Sequence, residues 1–183
     1  MIKAVLGSVP MFWPGLFCSL VPAALLNQPV GRLLRAHWAV AFLLLLALGG
    51  VLTLTLLPDA HGPVRELSRA AVRHCALDGA GPRTPGAWPA SRHTGLDVAL
   101  FVPVGLAAAL AGTRRRAAVV LLGAAALPFA VELAQYAVPA IGRACDAQDV
   151  RDNLVGLALG AGIGLLAGPL VRAGARSRRE RRT

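Results

Sequence analysis

The chain has 183 residues, 56% of them apolar and only 15% charged, against roughly 25% charged in an ordinary soluble domain. Its formal charge is +10, with an isoelectric point near 11.5. A charge of that size suggests a nucleic-acid partner, but the arginines sit at the ends of apolar runs and in the C-terminal tail. With a single Tyr there is no basic stripe interleaved with aromatics, so the pattern argues against nucleic-acid binding.

A membrane-crossing helix needs about 20 mostly apolar residues. Read by their charged borders, five runs meet that need: Lys3 to Arg32, Arg35 to Asp59, about Thr94 to Gly112, Arg116 to Arg143, and Asp152 to Arg172. In lipid each must be helical, because every backbone polar group needs a partner within the segment. The sequence therefore predicts an all-α polytopic transmembrane bundle of about five spans. The expected organisation is two transmembrane helices in 1–57, an extracytoplasmic loop in 58–93, a three-helix region in 94–171 and an Arg-rich cytoplasmic tail in 172–183.

Met1-Ile2-Lys3 and the apolar stretch after it resemble a signal peptide. The run is long for one, and no small-x-small cleavage site precedes Arg32, so it reads as a retained span. Cys18 follows bulky Phe17, a poor lipoprotein site, and reads as a small buried residue. In the long loop Val64, Leu67, Ala71 and Cys75 share a face, which fits an interfacial amphipathic helix. The Gly- and Pro-rich stretch from Gly79 to Pro89 reads as a flexible loop. Pro103 and Pro128 fall inside the third and fourth runs, where membrane helices tolerate them with a kink.

Short segments rich in Arg face the cytoplasm. Arg32 and Arg35, the run Arg114-Arg115-Arg116, and the tail residues Arg172, Arg176, Arg178, Arg179, Arg181 and Arg182 all fall on one side, and most of the acids on the other. The C-terminus is expected in the cytoplasm, the N-terminus outside, and the tail against anionic lipid.

Ionisable residues inside spans are costly and face a bundle interior or a watery cavity. Glu132 lies inside the fourth run, with Gln135 three residues on and therefore on the same side. Arg143 follows in a short outer loop, then Asp146, Asp149, Asp152 and Asn153 lead into the fifth run. Asp97 marks the outer end of the third. Gly156, Gly160, Gly164 and Gly168 recur every fourth residue and form a face that a second helix can approach closely. Asp149, Asn153, Gly156 and Gly160 make one stripe. Asp97, Glu132, Gln135, Arg143, Asp149 and Asn153 are thus expected to converge on an outward-facing polar pocket. The rival reading is a packing network, with acids favouring a helix N-terminus and Asp152-Asn153 capping it.

The pattern Phe101-Val102-Pro103-Val104-Gly105, then Glu132 and Gln135, Gly142-Arg143, Asp149-Val150, Asn153 and Gly156 resembles the VanZ-like membrane proteins over about residues 94–165. Members often carry Asn where this chain has Asp97. The resemblance implies a bacterial plasma-membrane protein associated with the cell envelope and with resistance to glycopeptide antibiotics such as teicoplanin. It supplies no biochemical mechanism.

Cys75 and Cys145 both fall on the expected outer side, a compartment that permits a bridge between them. The four histidines show no metal-ligand spacing, and no nucleotide, cofactor or nucleophile motif is present. Three functions stay open. The first is a non-catalytic protein that binds a lipid-linked or amphiphilic envelope molecule. The second is an intramembrane enzyme with Glu132 as acid or base and Arg143 on an anionic group. The third is a small proton-coupled transporter, disfavoured by the lack of an inverted repeat. The glycine face can pack within the chain or against a second copy, which leaves a homo-oligomer open.

Overall fold

In a computed structural model the described residues are 12–56, 75, 92–138, 141 and 145–180, and they form five helices with no strand among them. These are α1 (Phe12–Leu34), α2 (Trp38–Leu56), α3 (Arg92–Ala109), α4 (Arg114–Ala137) and α5 (Ala147–Glu180). By length and composition α2, α4 and the Ala147–Pro169 part of α5 are long and apolar enough to cross a membrane. Among the described residues the other two fall short of that for different reasons. In α1, Asn27, Gln28 and Arg32 dilute the C-terminal half; in α3 the apolar stretch is only Gly95–Ala109. The proposed amphipathic helix of the long loop lies outside the described residues.

The chain is an all-α bundle in which α3 is the central helix, packed against α2, α4 and most extensively α5. The core joins Leu44, Ala47 and Val51 of α2 to Phe101, Val104 and Ala107 of α3, with Ala124 from α4 and Leu157 from α5. Its residues are mostly small or β-branched, as expected where helices gain by close approach rather than by escape from water. Many large apolar side chains instead point outward, among them Leu122, Phe129, Leu133 and Leu166, as a lipid-facing surface requires. Cys18 is among the outward-facing residues and not buried as expected, because α1 packs mainly on α2 and turns Ser19 rather than Cys18 toward it. Ser19 Oγ donates to Gly15 O (2.8 Å) and lies 3.2 Å from Thr53 Oγ1, a polar clasp between α1 and α2.

The α3–α5 contact is a backbone-to-backbone seam. A Cβ at Gly156 would meet Val98 O, one at Gly160 would meet Val102 O, and one at Gly164 would lie 2.8 Å from Leu106 O. Gly105 reciprocates from α3, where a Cβ would meet Leu157 O. The glycine spacing of four follows the helical repeat, so the gaps fall one per turn along a single line. In this arrangement the glycine face is occupied by α3 of the same chain.

Candidate functional site

The polar end of the bundle is built where α4 stops and α5 starts. Asp146 precedes the first residue of α5, its Oδ1 accepts the Gln148 N–H at 2.8 Å, and its own carbonyl accepts the Asp149 N–H at 3.2 Å. A carboxylate there satisfies an orphan donor and suits the positive pole of the helix. The helix consequently begins at Ala147, earlier than the run counted from Asp152. Asp152 and Asn153 do not cap it; they lie more than a turn inside and are buried, at 2% and 3% exposure. Gln148 Nε2 donates to Asp152 Oδ1 at 2.7 Å, one turn along the same face.

Glu132 and Gln135 are both buried near the end of α4, but they serve different neighbours. Gln135 Nε2 donates to Thr55 O in the last turn of α2 at 3.0 Å, satisfying a carbonyl that has no partner within its own helix. Glu132 Oε2 accepts the Asp146 N–H at 2.9 Å and so ties the end of α4 to the start of α5. Asp149, Asp146 and Asp97 lie within electrostatic reach of Glu132. Carboxylates from α3, α4, α5 and the residue just before α5 thus share one end of the bundle.

Cys75 and Cys145 are disulfide-bonded, with Cα atoms 4.6 Å apart, and they join the long loop to the residue just before Asp146. Arg143 lies outside the described residues.

A cleft of about 620 Å³ runs down from this polar end between α4 and α5. Phe129 and Glu132 form its α4 wall; Val150, Leu154, Val155 and Ala158 form the α5 wall; Cys75, Cys145, Asp146 and Arg151 ring the mouth. The two faces of α5 are therefore divided. The side with Gly156 and Gly160 meets α3, while the side with Arg151, Leu154, Val155 and Ala158 lines the cleft at helical spacing. Of the six residues expected to form a pocket, Glu132 lines the cleft. Asp97, Gln135, Asp149 and Asn153 do not.

Arg151 and Phe129 are cleft residues that the sequence reading does not single out, and Asp146 appears there only as part of the acidic run leading into the fifth span. Arg151 carried a usable signal: it is the one base in the acidic run from Asp146 to Asp152, and residues three, four and seven further on are apolar. Phe129 carried none, since an aromatic in an apolar span is ordinary.

Residues 40–168, more than half of the chain, match the VanZ/LLP1 family. No curated protein and no solved structure matches the chain.

Proposed function

The chain belongs to the VanZ/LLP1 family of membrane proteins, and from that premise we propose that it binds an amphiphile of the bacterial envelope in the α4–α5 cleft. The apolar part lies along Phe129, Leu154, Val155 and Ala158, and the polar head sits among Glu132, Asp146 and Arg151. The observation that carries this reading is the composition of the cleft: one apolar wall, and an acid and a base together at its mouth. Its volume falls in the roughly 300–1,000 Å³ range of small-molecule sites. Phe129 is 57% exposed at the edge of the cleft, so a chain can enter sideways from lipid. A head carrying both charges, an amine toward Glu132 and a phosphate or carboxylate toward Arg151, suits such a mouth best.

The mouth is proposed to face outward from the bacterial plasma membrane, with the tail in the cytoplasm. Support comes from the distribution of arginines and from the disulfide, which belongs to an oxidising compartment. In intact cells, a Cys18→Ala chain should react with a membrane-impermeant maleimide only after treatment with an impermeant reductant. Labelling that requires permeabilised cells would reverse the orientation.

A lipid-linked cell-wall precursor and a glycopeptide antibiotic are the ligand classes this reading favours, and either links the cleft to teicoplanin susceptibility. The decisive comparison uses a deletion strain carrying wild type, Arg151→Gln or Glu132→Gln at matched membrane levels. Wild type should restore the teicoplanin phenotype and Arg151→Gln should not. Loss of one charged contact weakens binding by about tenfold or more. Full restoration by Arg151→Gln would remove the cleft from the function.

A further inference from the structure

A second cavity, of about 410 Å³, lies at the opposite end of the bundle, where the α1–α2 turn meets the α3–α4 turn. Leu34 and Arg35 line it from the first turn, and Thr113, Arg115, Arg116 and Val119 from the second. No carboxylate is among these residues.

Backbone contact holds the two turns together. Gly112 has φ 39°, and a Cβ there would strike Leu34 O; Arg35 has φ 52°. Both conformations are left-handed, and the glycine is needed at the closer approach. The arginines are thereby carried on apposed turns that cannot drift apart without breaking the fold.

Arg116 is the informative member. Its Nη1 is buried and has no hydrogen-bond partner. Buried polar groups are normally paired, and a guanidinium N–H is a strong donor, so an arginine that lines a basic cavity with one donor unpaired can still take an acceptor. Thr113 caps α4 by accepting the Arg116 N–H at 3.4 Å, which sets the positive pole of that helix at the same cavity.

We propose that this cavity binds a phosphate ester, its oxygens held by Arg116 and Arg115 with Arg35 closing the site. An anionic phospholipid head is the source the surroundings favour. Leu34 and Val119 give the cavity an apolar side, and Val119 is 63% exposed where acyl chains would run. Basic pockets between membrane helices suit such heads, whose charge is concentrated on the cytoplasmic leaflet.

The test uses the full chain in neutral detergent, with its thermal unfolding midpoint followed as lipid is added. Phosphatidylglycerol should raise the midpoint and phosphatidylcholine should not. Arg116→Gln should raise the phosphatidylglycerol concentration needed by roughly tenfold, as expected for loss of a charged hydrogen bond. Arg115→Gln should shift it in the same direction. Arg32→Gln, an equal charge change outside the cavity, should stay within about twofold by the same scale. If Arg116→Gln does not fold, Arg115→Gln decides. Inorganic phosphate giving the same shift, lost in the same variants, would support the site with a soluble source. Equal shifts from both lipids, or Arg116→Gln and Arg115→Gln responding as wild type does, would overturn it.

Discussion

Gly160→Ala is expected to lower the unfolding midpoint of the detergent-solubilised chain, while Gly162→Ala, two residues along the same helix, leaves it unchanged or raises it. At Gly160 the new methyl would meet Val102 O, with Val102 C at 2.8 Å and Leu106 N at 2.9 Å. These are backbone atoms of α3, locked by its own hydrogen bonds, so no rotamer change relieves the clash and the two helices must separate. Overpacking costs about 1–3 kcal/mol and more where backbone is struck. For a chain of this length that is roughly 2–12 °C in midpoint. At Gly162 an added Cβ meets nothing within 4 Å. There the gain in helix propensity, up to about 1 kcal/mol, is the only term left. Equal behaviour of the two variants, read by thermal unfolding and by size-exclusion profile, would mean that α3 and α5 do not touch along this line.

The contrast between the two glycines also shows what a sequence carries and what it does not. The helical class was legible because continuous apolar blocks of about 20 residues suit helices that pair their own backbone, and not the short alternating strands of a barrel. The repeat of Gly156, Gly160 and Gly164 was legible as a close-approach face because one position per turn stays in line. Which helix fills that face was not, since α3 and a second copy of the chain present equally small residues; only the packed bundle selects α3. Helix starts were misplaced for a local reason. Charged residues look like borders in a sequence, but Asp149, Asp152 and Asn153 are polar residues inside a helix that Asp146 begins. Glu132 stood out because a carboxylate in an apolar run demands an explanation. The cleft beside it did not, because its apolar wall is indistinguishable in sequence from a lipid-facing surface.

Glu132→Gln should fold at least as well as wild type, yet lose the function of the cleft. Glu132→Leu should fold poorly. The difference follows from what the carboxylate does in two separate capacities. As an acceptor, Glu132 Oε2 takes the Asp146 N–H at 2.9 Å and holds α5 to α4. A glutamine oxygen can accept the same bond, so the link survives in Glu132→Gln. A leucine leaves the N–H without its partner, at a cost of about 1–3 kcal/mol. As a charge, Glu132 sits within reach of Asp149, Asp146 and Asp97. Burial has taken this carboxylate out of water, and the three acids add a smaller like-charge cost, so a neutral amide at the position favours the folded chain. Thermal unfolding of the three chains at neutral pH tests the first half: Gln at or above wild type, Leu clearly below. The teicoplanin phenotype at matched membrane levels tests the second. If Glu132→Gln is stable and fully functional, the carboxylate is only a hydrogen-bond acceptor and both the binding and the acid–base readings of Glu132 fall. If it is stable and inactive, the ligand or the reaction requires the carboxyl group itself, as a charge or as a proton donor or acceptor. Arg151→Gln then separates the two: a binder loses the phenotype when either charged group is removed, whereas an enzyme with Glu132 as acid or base keeps a residual phenotype in Arg151→Gln and none in Glu132→Gln.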